Sequence, residues 1–279
     1  MTPKEKNYFM PAEWYPHKCC WMQWPYNNPK HNGYGDIPSW SHFDFEKGRL
    51  AWANVANSIV EFEKVKMMTH PDEIIIAKKL LDSRVEVIDL KIDDCWARDS
   101  GAIFLLNNKK QLGGIDWEFN GWGKFQPFDS DNKVAKFMIE SSKATYFKNN
   151  MILEGGSIHV DGEGTLLTTE QCLLNKNRNP NFSKAEIEKN LKEFLNINKI
   201  IWLRNGTDEG TDGHVDNIAC FVQPGTVLAL SCKDKDDPFF EKINENLEIL
   251  KTSTDNKNRR LKVIELEMSY KRLIPEDDE

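Results

Sequence analysis

The chain has 279 residues, a formal net charge of −7, 29% charged and 39% hydrophobic residues, which is the balance of a globular protein able to bury a large core. Its basic residues gather no further than pairs such as Lys109-Lys110 and Arg259-Arg260, so a phosphate-tracking surface is excluded and nucleic acid is not an expected partner. No apolar run nears the roughly 20 residues of a membrane span, the N-terminus has no signal-like stretch, and the six cysteines make no C-x-x-C pair; the expectation is a cytoplasmic protein without membrane contact, structural zinc or disulfides.

In chain order, Ala51, Val55, Ile59 and Phe62 recur at helical spacing. "PDEIIIAKKLL", opening at Pro71, and "NKVAKFMIESS" predict two shorter helices. "SKAEIEKNLKEFLN" places Ser183 and Glu186 in capping-box relation with Ile187, Leu191 and Leu195 on one stripe. "PFFEKINENLEILK" repeats the pattern with Ile243, Leu247 and Leu250. Between the helices lie the β-rich runs "VEVIDLKI", "AIFLL", "SIHV", "TLLTT", "KIIWL", "IACFV", "TVLALS" and "RLKVIELEM". The alternation predicts an α/β fold.

A hairpin entered through an acidic loop recurs. "WARDSG" precedes "AIFLL" and "QLGGID"; "ILEGG" precedes "SIHV", the turn "DGEG" and "TLLTT"; "TDGHVDN" precedes "IACFV", "QPG" and "TVLALS". Asp99, Glu154 and Asp216 fall at closely similar points before each hairpin, as in blades set around a centre. A helix at 238–251 and a strand at 260–268 restart the unit, and "SYKRLIPEDDE" stands where another hairpin is due. The expectation is a pseudosymmetric repeat fold incomplete at its C-terminus, whose open edge favours a homo-oligomer.

"GTDEGTDGHVDN" crowds Asp208, Glu209, Asp212 and Asp216 around His214. With Asp99, Glu154 and Trp96, such acids suit a guanidinium, which stays charged and offers five N–H donors to carboxylates and a face to tryptophan. Each residue alone has a plainer reading: Asp208 and Asp161 as turn caps, His214 and His159 as satisfied structural histidines, Trp96 as core. A Mn²⁺ or Fe²⁺ site of Asp99, Glu154, His214 and Asp216 is the competing chemistry, although no H-x-x-x-H or C-x-x-C anchors it.

"MPAEWYPHKCCWMQWP", "DDCWARDSG" (93–101), "ILEGGSIHVDGEGTLLTTEQCLL" (152–174), "NRNP" (177–180) and "GTDEGTDGHVDNIACFVQPG" (206–225) resemble, in order and over nearly the whole chain, the agmatine deiminases of the bacterial-type peptidylarginine deiminase superfamily. The resemblance implies a single deiminase domain over 1–279, truncated, of pentein type, a pseudosymmetric five-bladed α/β propeller. It implies hydrolysis of agmatine to N-carbamoylputrescine and ammonia in putrescine biosynthesis, with no metal and no cofactor. Asp99 and Asp216 would hold the guanidinium, Trp96 would line the pocket, and Glu154 and His214 would position substrate and move protons. The family's nucleophile is a cysteine in a "GGGxIHC" motif that this sequence does not contain, and Cys95, Cys220 and Cys232 sit in other motifs. Gly210 stands where family members often carry a further acid. Two alternatives stay open: a catalytically silent guanidinium-binding or assembly protein, and a deiminase of another guanidine such as peptidyl-arginine.

Overall fold

The computed structural model describes residues 1–28, 30 and 45–268, so the tail 269–279 lies outside the described residues. The first sheet is parallel, with Cys19–Gln23, Lys64–Thr69 and Glu86–Asp89 side by side in chain order. Parallel neighbours need long crossovers, supplied by the helices Phe45–Ile59 and Ile74–Leu80. The longer helix buries Ala53 and Ala56 in a cluster with Val65, Met67 and Trp24. That corrects the predicted stripe: Val55 is 51% exposed, and Phe62, 90% exposed, lies beyond the helix end. Small alanines let the helix approach the sheet, and the bulk comes from the strand side.

Three further sheets repeat one plan, an antiparallel hairpin joined through a helix to a third strand parallel to the hairpin's second. In the second sheet Ile103–Asn107 pairs with Leu112–Glu118, which pairs with Thr145–Ile152, and Tyr8–Phe9 covers the outer edge. In the third, Ile158–Val160, Thr165–Thr169 and Lys199–Leu203 pair with Ile158 opposite Thr168 and Ile201 opposite Leu167. In the fourth, Ala219–Gln223, Thr226–Ser231 and Lys262–Glu267 pair with Ala219 opposite Ala229 and Val227 opposite Val263. The crossover helices are Val134–Ser141, Lys184–Leu195 and Phe240–Thr252.

Local chemistry accounts for these elements. Ser183 Oγ accepts the Glu186 N–H at 3.3 Å while Glu186 Oε2 accepts the Ser183 N–H at 2.8 Å, closing the expected capping box. Ile187, Leu191 and Leu195 then pack on Leu105, Ile115 and Leu166, and Ile243, Leu247 and Leu250 on Val227 and Ala229. Asp161 Oδ1 accepts the N–H groups of Glu163 and Thr165, both at 2.8 Å, while Gly162 takes φ +71°, so this acid is a turn cap as its plainer reading held. Asp208 does the same, accepting from the Gly210 N–H at 3.1 Å and the Thr211 hydroxyl at 2.8 Å. Among the described residues no helix is long and apolar enough to cross a membrane.

Candidate functional site

Each hairpin entry delivers its acid through a tight turn. Asp99 lies in the short helix Ala97–Ser100, Glu154 directly before the 3-10 turn Gly155–Ser157, and Asp216 in the turn Val215–Asn217 with His214 one residue ahead of it. Gly156 marks where they meet. A side-chain carbon there would stand 2.5 Å from His214 Nδ1, 2.7 Å from Asp216 Oδ2 and 2.8 Å from Asp99 Oδ1. Only glycine leaves that space clear, and its N–H donates to Asp99 Oδ1 at 2.9 Å.

The other oxygen of Asp99 accepts the indole N–H of Trp122 at 3.0 Å. Trp122 is buried and left-handed at φ 53°, between Gly121 and Gly123, and Asn120 Oδ1 holds the Gly123 N–H at 2.9 Å. A left-handed tryptophan costs about 1–3 kcal/mol, so the loop spends strain to aim one N–H at Asp99. From below, the Ser100 hydroxyl donates to Gln23 Oε1 at 2.8 Å, and Gln23 Nε2 donates to the Asp94 carbonyl at 2.8 Å.

The His214 ring lies between two carboxylates, Nδ1 at 3.7 Å from Asp99 Oδ1 and Nε2 at 3.9 Å from Glu154 Oε2, in ion-pair range but too long for hydrogen bonds. Burial opposes its charge, yet Asp99, Cys172 and Glu154 outweigh burial and hold the imidazolium well above the ordinary histidine range. Burial likewise pushes Glu154 up, but His214 and Arg178 bring it below its usual value. Asp216 is exposed as a residue, while its carboxyl is covered enough for burial to raise it; His214 offsets part of the rise and Asp99 adds to it.

Arg178, the arginine of "NRNP", supports this arrangement and was not among the predicted site residues. It is 2% exposed. Its Nε donates to Glu154 Oε1 at 2.9 Å, Nη1 to Asn177 Oδ1 at 2.9 Å and to Asp212, and Nη2 to the Thr211 carbonyl at 3.0 Å. Burial works against its charge, and Glu154, Cys172 and Asp212 more than compensate. Cys172 is the other addition. Its thiol lies 3.9 Å from Glu154 Oε2, and burial, with Glu154 beside it, raises it. Burial also raises the thiols of Cys95 and Cys220.

Trp96 goes elsewhere. It packs edge-on against Trp52, with ring centroids 5.6 Å apart, and lines a cavity of about 280 Å³ with Trp21, Val55 and Arg98 that none of Asp99, Glu154, His214 or Asp216 lines. The aromatic donor on Asp99 is Trp122 instead. His159 is structural: its Nδ1 accepts the Phe221 N–H at 3.2 Å and its Nε2 meets Glu13 at 3.2 Å. Among the described residues, the ligand-type groups within mutual reach are His17, Cys20, Glu63 and Glu154, Cys172, His214; Asp99 and Asp216, needed by the competing metal reading, are in neither.

Repeated strand–strand–helix–strand units that send acids to one centre define an α/β propeller of pentein type. The chain belongs to the Porphyromonas-type peptidyl-arginine deiminase family, whose sequence profile it matches over residues 9–278. It is similar to the agmatine deiminase of Pseudomonas aeruginosa (strain LESB58), 42% identical over 270 residues that cover 94% of this chain and 71% of that protein. The agmatine deiminase of Enterococcus faecalis superposes with a TM-score of 0.89 at 36% identity, over 97% of this chain and 73% of that one. A variant of the C. jejuni agmatine deiminase with substrate bound superposes with a TM-score of 0.80 at 29% identity, over 95% of this chain and 76% of that one.

Proposed function

We propose that this protein is an agmatine deiminase, hydrolysing the guanidinium of agmatine to N-carbamoylputrescine and ammonia on the way to putrescine. The observation that carries the reading is the convergence of Asp99, Asp216 and His214 on Gly156, with the buried, ionised Glu154 on the far side of the imidazole. Asp99 and Asp216 take the planar cation from two sides, each carboxylate matching N–H donors of the fork. Glu154 and Asp99 keep His214 protonated, so His214 gives a proton to the departing ammonia and then, neutral, takes one from the attacking water. A thiolate makes the covalent intermediate in this family; the raised thiols of Cys95, Cys172 and Cys220 are unsuited to it, and the "GGGxIHC" cysteine is not within residues 1–279. Recognition and proton transfer are therefore what these residues carry. Six free cysteines support a reducing, cytoplasmic setting.

Titration calorimetry of residues 1–279 with agmatine, arginine and a peptidyl-arginine tests the reading. Agmatine is expected to bind best, and Asp99→Asn and Asp216→Asn each to weaken it about tenfold or more, since a hydrogen bond to a charged group is worth about 1.5–3 kcal/mol. Preference for arginine or peptidyl-arginine would overturn the substrate, and binding of no guanidine would overturn the site.

A further inference from the structure

Behind the imidazole of His214, on the side away from Asp99, three ligand atoms of different chemistry face one another. Glu154 Oε2 lies 3.9 Å from Cys172 Sγ and 3.9 Å from His214 Nε2, and all three atoms lie within 4.8 Å of one another. Glu154 and Cys172 are fully buried and His214 is 2% exposed. Among the described residues His214 Nε2 is a buried polar atom with no hydrogen-bond partner, although such groups are ordinarily satisfied. The backbone of Cys172 serves the helix cap at Thr169, but neither substrate recognition nor turn geometry uses its thiol.

We infer that Glu154, Cys172 and His214 form a binding site for a thiophilic divalent cation of the zinc class. One sulfur, one imidazole nitrogen and one carboxylate oxygen are a donor set that zinc accepts, with a fourth position left open. Tetrahedral zinc would set these atoms roughly 3.3–3.6 Å apart, given bonds of about 2.0–2.3 Å. The two 3.9 Å separations therefore close by about 0.3–0.6 Å, and the third, within 4.8 Å, by about 1.2 Å at most. The surroundings are organised for it. Arg178 fixes Glu154 Oε1 and leaves Oε2 facing the site, while the Asp99 carboxylate, 3.7 Å from His214 Nδ1 and in ion-pair range, attracts that edge of the ring and leaves Nε2 to the ion. Binding displaces two protons, one from the Cys172 thiol and one from Nε2 of the His214 imidazolium, and both go to solvent. The ion occupies His214 and Glu154 together, so it withdraws both from the deiminase reaction and acts as an inhibitor; only this consequence rests on the proposed function.

Cobalt(II) titration of the purified chain provides the test, because a thiolate-to-cobalt charge-transfer band reports the sulfur directly. One equivalent should produce the band, Cys172→Ala should abolish it, and Cys20→Ala, in the half-buried cluster with His17 and Glu63, should leave it intact. His214→Gln offers a route that keeps Cys172 in place, with an expected loss of cobalt affinity of more than about tenfold. A band that survives Cys172→Ala, one lost in Cys20→Ala, or none at stoichiometric metal would overturn the site. The two readings fail separately: a cobalt band as expected from a chain that binds no guanidine would uphold the metal site and overturn the deiminase reading.

Discussion

Arg178 is wholly enclosed and faces the equally enclosed Glu154, and an ion pair so placed is worth most as a condition of the site's geometry. Removing one partner of a buried pair strands the other, typically at about 3–5 kcal/mol. Arg178→Met is therefore expected to destabilise the chain by about that amount in urea unfolding at neutral pH, and adding Glu154→Gln should recover part of the loss. No recovery in the double variant would assign the loss to packing alone. The predicted acids and His214 were legible because they recur before equivalent strands, a pattern the chain displays three times. Arg178, Cys172 and Trp122 carry no such signal. An arginine flanked by Asn177 and Asn179 reads as ordinary turn composition, Cys172 reads as helix core, and Trp122 reaches Asp99 through a left-handed loop. Trp96 packs on Trp52 in a separate cavity, because nearness in sequence to Asp99 does not fix where a side chain points from a short helix.

At the scale of elements, the hairpins were readable from their turn chemistry and the later helices from their stripes, whereas Cys19–Gln23, Lys64–Thr69 and Thr145–Ile152 were not recognised as strands. Thr145–Ile152 buries Asn149 between Phe147 and Met151, so its alternation is not an alternation of apolar residues; Asn149 answers the Met151 N–H at 2.8 Å instead. The N-terminal segment is tied to two other elements by a single acid. Glu13 meets His159 at 3.2 Å and Arg98 at 2.5 Å, and the hydrogen bond from His159, then Arg98, lower it to about 2 against the opposing effect of burial. A carboxylate lowered by folding contributes stability that is present above its ordinary value of 4.5 and lost as pH falls through about 2. The stability difference between the native chain and Glu13→Gln should thus be constant near neutrality and vanish toward pH 2 in acid-unfolding series. A difference that instead grew with acid would show that Glu13 is not held as an ion.

For the whole molecule, the consequence of a repeat fold is that the site belongs to no single blade. Asp99 enters from the second sheet, Glu154 from the third, and His214 with Asp216 from the fourth, so the four meet only when the sheets are correctly placed around the centre. A guanidinium bound there interacts with the folded chain and with no equivalent in the unfolded one. Such binding stabilises by RT ln(1 + [L]/Kd), about 2.7 kcal/mol at a hundredfold excess over Kd, which for a chain of this size is a rise in Tm of several degrees. Agmatine should produce this shift in calorimetric melts and Asp216→Asn should cut it to about half or less at the same agmatine concentration, because that variant keeps every hairpin but loses one side of the proposed clamp. Putrescine is the discriminating control: it keeps the aliphatic amine and lacks the guanidinium. If the acids at the centre are arranged for the planar cation, putrescine at the same concentration leaves Tm unmoved; an equal shift with putrescine would mean that the centre responds to positive charge alone, and the two-sided clamp by Asp99 and Asp216 would fall.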